Sequence, residues 1–253
     1  MNITQVRNAT LRLEFAGTDF LIDPFLGKKG SYPPFPGSLR QDQSNPLSDL
    51  PMPLERLLEG IDAVIVTHLH LDHWDEAAKA VLPKQLPLFA QNEDDAREIA
   101  KSGFESISVL NEGTSFGDIR LIKTPGEHGR GEVLKMAGLV CGVVFKHPRE
   151  KTLYVAGDTV WYQAVQETIE AHQPEVIIVN GGDNQFFGSG SLIMGKGDIV
   201  RVHLAAPKAH ILVSHMEAVN HWMLSRAELK TFLRETGIEA SVSVPDDGQS
   251  YTF

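Results

Sequence analysis

Three histidines and an aspartate lie within six residues of this chain, directly after a run of apolar residues. The segment reads T-H-L-H-L-D-H-W over residues 67–74, and residues 61–66 before it are nearly all apolar. Such a run predicts a buried strand, so the polar cluster is expected at the end of that strand. Imidazole nitrogen and carboxylate oxygen are ligands of zinc and similar cations. The pattern H-x-H-x-D-H therefore predicts a metal site rather than a solvated polar loop.

The spacing within this cluster indicates which of its side chains could bind the same metal ion. His68 and His70 occupy alternate positions of an extended segment, so their rings are expected on the same side. Asp72 and His73 lie where the chain turns towards the next helix. From there they can address a second metal close to the first.

Composition narrows the class of protein. The chain has 253 residues, 42% of them hydrophobic and 22% charged, which is typical of a folded globular protein. Its net charge of −10 argues against nucleic-acid binding through a basic surface. A single cysteine, Cys141, excludes a cysteine-rich zinc module and favours a reducing, cytoplasmic location. No signal peptide is recognisable, and no apolar run approaches the roughly 20 residues of a membrane helix.

Hydrophobic patterning predicts alternating strands and helices. Five prolines and three glycines in residues 24–50 predict a long loop without regular structure. Asp75 and Asn92 are candidate helix caps, and Ser225 with Glu228 forms a capping box whose helix ends at Gly237. Strands are predicted at 10–15, 20–22, 61–66, 119–123, 132–145, 151–156, 175–180 and 209–214, and helices at 53–59, 160–172 and 198–205.

The order of these elements predicts the fold class. Antiparallel-looking strands come first and then alternate with helices, and this pattern repeats in the second half. The simplest packing is a four-layer αββα sandwich, in which two mixed β-sheets lie face to face with helices outside. No shift in composition marks a boundary, so residues 1–253 are expected to form one α/β domain.

The whole chain resembles the metallo-β-lactamase superfamily, whose signature is H-x-H-x-D-H after an apolar strand and whose fold is the αββα sandwich. Asp23 in FLIDPF resembles the early structural aspartate of that family, and His128 in TPGEHGRG the third histidine of the first metal site. Asp158 in YVAGDT resembles the bridging carboxylate, and His215 in ILVSHMEAVNH the last histidine. The length is closest to the compact branch that includes ascorbate-6-phosphate lactonase-like proteins.

The three candidate ligands that follow the histidine segment could each have a role without metal, or be replaced by another residue. His128 could be an exposed loop histidine, and Asp158 could be a helix N-cap. His215 competes with His203, His210 and His221 for its role. The predicted metal ligands are His68, His70, Asp72, His73, His128, Asp158 and His215.

The resemblance implies two divalent ions, zinc or else manganese, iron or nickel, and a metal-bound hydroxide that attacks the substrate. Asp158 would bridge the ions, Asp72 would orient the hydroxide or accept its proton, and His221 would contact the substrate, donate a proton or support a ligand. The expected substrate is a small ester, phosphodiester or lactone. The G-x-S-x-G nucleophile motif is missing. Alternatives are a non-catalytic metal-binding or regulatory module and an iron redox protein on the same scaffold.

Two loops are candidates for substrate contact. The loop at 24–50 carries Lys28, Lys29 and Arg40 beside Tyr32 and Phe35, which could clamp a phosphate or carboxylate or could simply be solvated. The glycine-rich residues 181–197 are predicted to form a rim of the pocket. Three tryptophans near the predicted ligands are candidates for the pocket wall or for the core: Trp74, Trp161 and Trp222.

Overall fold

A computed structural model describes residues 1–253 and contains two seven-stranded mixed sheets and a small hairpin. In spatial order the first sheet comprises β16 (Ser250–Thr252), β1 (Asn2–Arg7), β2 (Thr10–Phe15), β3 (Thr18–Ile22), β4 (Ala63–Val66), β5 (Leu88–Ala90) and β6 (Ile107–Val109). The second comprises β15 (Val242–Ser243), β14 (His210–Ser214), β11 (Val176–Asn180), β10 (Leu153–Val155), β9 (Val140–Lys146), β8 (Ile119–Gly126) and β7 (Ser115–Phe116). The hairpin pairs β12 (Gln185–Phe186) with β13 (Gly190–Ser191).

Seven helices complete the fold: α1 (Leu54–Leu58), α2 (Glu76–Val81), α3 (Glu93–Ala100), α4 (Glu132–Ala137), α5 (Gln163–His172), α6 (Lys196–Ala205) and α7 (Arg226–Thr236). None of them is long and apolar enough to cross a membrane.

Apolar side chains separate the layers. Strand β11 shows this clearly, because Val176 and Ile178 face the other sheet whereas Ile177 and Val179 pack towards the helices. Alternation along a strand sends successive side chains to opposite faces, and here both faces are buried, which accounts for the continuous apolar run. The result is the predicted four-layer αββα sandwich.

Both sheets change from antiparallel to parallel pairing part of the way across. In the first sheet β3, β4, β5 and β6 are parallel, and in the second β10, β11, β14 and β15 are parallel. The carboxyl ends of parallel strands lie at one edge of a sheet, where α/β proteins commonly place their ligands.

The predicted helix signals are confirmed. Asp75 and Asn92 cap α2 and α3 through their side chains. The capping box of Ser225 with Glu228 is present at α7, and Gly237 ends that helix in a left-handed conformation.

The predicted strand at 132–145 is wrong over its first half. Residues Glu132–Ala137 form helix α4, and the strand begins only at Val140. Gly131 and Gly138 bound this helix with φ of 64° and 78°. The sequence EVLKMA consists mostly of good helix formers, so local propensity outweighed the apolar content that suggested a strand.

The loop at 24–50 lacks helices and strands, as predicted, but it is firmly anchored. Asn220 is completely buried, and its amide oxygen accepts from the backbone N–H of Phe35 at 2.8 Å and from Asn45 Nδ2 at 3.0 Å. Its amide nitrogen donates to Ser38 Oγ at 2.9 Å and to the Leu39 carbonyl at 2.8 Å. These bonds hold Phe35 in one position.

We predict that Asn220→Ala lowers the free energy of unfolding by about 3 kcal/mol, because it leaves several buried polar groups without partners. Urea unfolding measures this change. The exposed Asn111 belongs to a local turn, so Asn111→Ala should cost no more than about 0.5 kcal/mol. Equal losses in the two variants would contradict the anchoring role of Asn220.

Candidate metal centre

All seven predicted ligands meet at the shared edge of the two sheets. Residues 68–73 follow β4 of the first sheet. His128 follows β8, Asp158 follows β10 and His215 follows β14, all in the second sheet. Residues far apart in the chain therefore converge because their strands end at the same place.

The side chains form three overlapping groups whose ligand atoms lie within 4.8 Å of one another. We call His68, His70 and His128 the first ligand group, and Asp72, His73 and His215 the second ligand group. The remaining group joins His68, His73 and Asp158. Only His70 is half-buried, and the other six residues are buried.

Asp158 lies at the centre of this arrangement. Its Oδ2 is 3.2 Å from His73 Nε2 and 3.6 Å from the Nε2 atoms of His128 and His215. The second oxygen, Oδ1, accepts a hydrogen bond of 2.7 Å from Asn180 Nδ2. One carboxylate oxygen is thus fixed by the protein, and the other faces histidines from both ligand groups.

Hydrogen bonds orient the histidine rings. His128 Nδ1 donates to the Leu192 carbonyl at 3.0 Å, and His73 Nδ1 donates to Asp23 Oδ2 at 2.9 Å. The Thr67 hydroxyl donates to Asp23, so His68 Nδ1, 3.2 Å from Thr67 Oγ1, acts as the donor of that pair. In the His68 and His128 rings the proton resides on Nδ1 and the lone pair of Nε2 faces the centre, as metal-ligating histidines require. Burial would lower the pKa of His73, but Asp158 and Asp23 outweigh it and hold that pKa well above its usual value, so this ring is protonated on both nitrogens.

The residues present fit a divalent cation. His68 Nε2 is buried and has no hydrogen-bond partner, although buried polar atoms are normally satisfied. Burial and the neighbouring His73 hold the pKa of His68 well below its usual value, so the ring is neutral. A neutral imidazole with an unused buried lone pair is the chemical form in which histidine binds metal.

The two carboxylates are ionised. Burial alone would raise the pKa of Asp158, but His73 and His215 outweigh it and hold that pKa well below its usual value. Asp72 behaves alike, because the hydrogen bond from His215 and the charge of His73 overcome the effect of burial on its pKa. The site therefore offers neutral imidazole and charged oxygen together.

Asp23 has the structural role that the family resemblance implies. Its Oδ1 accepts from the Thr67 backbone N–H at 2.7 Å, and its Oδ2 accepts from Thr67 Oγ1 at 2.7 Å and from His73. The aspartate thereby ties the end of β3 to the start of the histidine segment. Its own φ is 47°, a left-handed conformation that is uncommon outside glycine.

Three asparagines belong to the site, and the sequence reasoning missed them. Asn8 contacts Asp72 and His215, Asn180 contacts Asp158, and the amide of Asn184 lies 3.4 Å from His215 Nδ1. No local pattern distinguishes them from asparagines of turns and strand ends. Only the path of the chain brings them to the metal ligands.

A cavity of about 290 Å³ opens onto the ligands, and its lining carries no lysine or arginine. The predicted basic clamp does not reach it, because Lys28 and Lys29 are exposed away from the lining. Arg40 instead donates to the Trp222 carbonyl at 2.7 Å and stacks over that ring. The cavity is lined by Phe35, His70, Leu71, Asp72, His128, Val133, Met136, Ala137, Asp158, Phe186, Leu192 and His221.

Other predicted features divide between pocket and core. The glycine-rich residues 181–197 supply Phe186 and Leu192 to the cavity, which agrees with the predicted rim. None of the three tryptophans lines it, and Trp74 is buried against Phe104 in the outer layer of the first sheet.

His221 lies in the wall between two aromatic rings. Phe35 contacts it edge-on at 4.9 Å, and Phe186 stacks on it at 5.4 Å. Burial lowers its pKa to about 4, so the ring is neutral. Its Nε2 is 3.2 Å from Asn184, which also contacts His215. These contacts favour a supporting role for His221, while donation of a proton to substrate stays a prediction.

Comparisons with known proteins agree with this geometry. A family model described as "Beta-lactamase superfamily domain" matches residues 18–216. Together with the αββα fold and the histidine–aspartate centre, this match shows that the chain belongs to the metallo-β-lactamase superfamily of hydrolases.

More specific relatives cover the whole chain. UPF0173 protein YddR of Bacillus subtilis (strain 168) is 60% identical over 254 residues and is matched over 100% of both chains. The chain is therefore a member of the UPF0173 group, other proteins of which are named metal-dependent hydrolases.

Two solved structures are similar along their full length. The isothiocyanate hydrolase from Delia radicum gut bacteria is 43% identical with a TM-score of 0.95, over 100% of this chain and 99% of that one. A possible metal-dependent hydrolase from Veillonella parvula DSM 2008 is 42% identical with a TM-score of 0.97 and the same coverage. The narrower resemblance to ascorbate-6-phosphate lactonases stays a prediction.

We predict that Asp23→Asn weakens zinc binding about 10- to 100-fold, because an amide has one acceptor oxygen and cannot replace both carboxylate oxygens that accept from Thr67 and His73. Competition with a chromogenic chelator measures the affinity. Asp19 lies on β3, the strand that ends just before Asp23, and is half-exposed and paired with Arg12 at 3.1 Å, so Asp19→Asn should bind zinc normally. An Asp23→Asn affinity within twofold of that control would exclude the proposed support.

Proposed function

We propose that this protein is a hydrolase that holds two divalent cations, zinc or else manganese, iron or nickel. His68, His70 and His128 would hold one ion, and the second ligand group the other. Asp158 would bridge them. The convergence of both ligand groups on Asp158 Oδ2 carries this proposal. Residues 1–253 would act as one catalytic domain.

When bound, such cations lower the pKa of water and polarise an electrophile. The protein's own groups have three further tasks. Asp158, held by Asn180, keeps the two ligand groups at a fixed separation. Asp72 lines the cavity as an ionised carboxylate, so it can accept a proton from the attacking water. The apolar side chains around the cavity exclude bulk water and orient the substrate.

The cavity supports a small, uncharged substrate rather than a phosphate ester. Seven of its twelve lining residues are hydrophobic, and no lysine or arginine is available to pair with an anion. Phe35, Phe186 and Leu192 would bury an apolar substituent. We propose an organic isothiocyanate, R–N=C=S, as the substrate class, since the protein from Delia radicum gut bacteria with 43% identity is an isothiocyanate hydrolase.

Hydrolysis of this group consumes one water. The water oxygen bonds to the central carbon while Asp72 accepts one proton, and the electrons of the C=N bond move to nitrogen. Asp72 returns its proton to that nitrogen, giving a thiocarbamic acid, R–NH–C(=S)–OH. The remaining O–H proton then moves to nitrogen as the C–N bond breaks. The products are the amine R–NH₂ and carbonyl sulfide.

We predict that chelation of the metal abolishes hydrolysis and that zinc or manganese restores it. Asp158→Ala should lower kcat/KM at least about a hundredfold and reduce the metal content, because both ions lose a ligand. Elemental analysis and amine release measure the two effects. Exposed Asp118→Ala serves as the control. Full activity in metal-free protein would exclude metal-dependent hydrolysis.

We predict that the protein hydrolyses benzyl isothiocyanate at least about a hundredfold faster than a phosphodiester or an aliphatic lactone. Phe186→Ala should lower kcat/KM for that substrate about tenfold, through loss of apolar contact with the benzyl ring. Phe187 is 69% exposed and does not line the cavity, so Phe187→Ala should behave like the unaltered protein. Faster cleavage of the phosphodiester would overturn the proposed substrate class.

A further inference from the structure

Asn8 occupies the turn between β1 and β2. It is completely buried beside the second ligand group. We propose that Asn8 is a positioning residue that shapes this group for its cation. The inference rests on the proposed function, in which Asp72, His73 and His215 hold one of two ions.

The side chain of Asn8 fixes Asp72. Its Nδ2 lies 3.0 Å from the Asp72 carbonyl and 3.2 Å from Asp72 Oδ2, so one amide group spans the backbone and the carboxylate of the same ligand. Nδ2 also lies 3.2 Å from His215 Nε2. A carboxylate held in this way cannot rotate freely away from His215, and a cation finds both ligand atoms already in place.

The backbone of Asn8 fixes His215. Its carbonyl accepts from the His215 backbone N–H at 3.0 Å and from Ser214 Oγ at 3.0 Å. His215 has a φ of 60°, and Asn8 a φ of 54°, so each residue is in the left-handed region. This conformation is unfavourable for most L-residues, and the bond between the two helps to hold it.

The residue type follows from these two tasks. Asparagine tolerates the left-handed conformation better than most residues and carries an amide donor. Glycine would adopt the same backbone but would leave Asp72 without its donor. The Asn8→Gly substitution therefore separates the side-chain task from the backbone task.

The influence of Asn8 is confined to one ligand group. Its polar contacts reach Asp72, His215 and neighbouring Gln5 and Ser214, and none reaches His68, His70 or His128. Loss of its amide should therefore weaken one cation site and spare the other.

Zinc is titrated into metal-free protein, with bound metal measured by equilibrium dialysis and elemental analysis. The unaltered chain should bind two ions, whereas Asn8→Gly should bind one with unchanged affinity and the other about 10- to 100-fold more weakly. Ala16, in the turn between β2 and β3, has a φ of 53°. Ala16→Gly is the matched control and should bind both ions normally.

The outcomes separate the two proposals. One ion per unaltered chain would overturn the two-ion site and this inference with it. Two ions of unchanged affinity in Asn8→Gly would overturn the role of Asn8 alone, as would equal weakening of both sites. In case Asn8→Gly does not fold, NMR of the unaltered chain supplies a second test. During the zinc titration, the Asn8 side-chain amide signals should shift at the same zinc concentration as those of the His215 ring. Shifts at different zinc concentrations would refute the proposed role of Asn8 at this cation site.

Discussion

One buried carboxylate, that of Asp23, connects the fold to the candidate metal centre. It accepts two hydrogen bonds from Thr67 and one from His73, so the end of β3 and the histidine segment after β4 are held in a single arrangement. The His73 ring is thereby directed through Nε2 towards Asp158. Because β3 and β4 are parallel neighbours, the sheet itself brings Asp23 to this position. The remaining ligands assemble around a ring whose orientation is already set.

The site also requires that the β1–β2 turn of the first sheet lie directly against the end of β14 in the second sheet. Asn8 on the first sheet and His215 on the second are joined by a backbone hydrogen bond of 3.0 Å. Both residues, like Asp23, are in the left-handed region. Three such residues at one site concentrate backbone strain where the ligands must be placed, and the packed core between the sheets maintains it. The packing of the core thus stabilises the strained backbone that places the candidate ligands.

The substrate cavity depends on a different set of contacts. Phe35 comes from an irregular loop and Phe186 from a short hairpin, yet both pack against His221. Asn220 holds the loop in place through the backbone of Phe35. Most of the cavity lining is apolar although the protein carries a net charge of −10, because the only acidic side chains in the lining are the predicted ligands Asp72 and Asp158. Net charge therefore says little about the substrate.

The sequence by itself determined the layered fold and was enough to predict the candidate metal ligands, since H-x-H-x-D-H after an apolar strand and alternating apolar residues are local patterns. Helix α4 was predicted as a strand because a short apolar segment is compatible with either a helix or a strand. Only the tertiary structure showed that Asn8, Asn180 and Asn184 contact the ligands, and that Lys28 does not reach the cavity. These relations join residues far apart in the chain, and no local pattern encodes the distance between them.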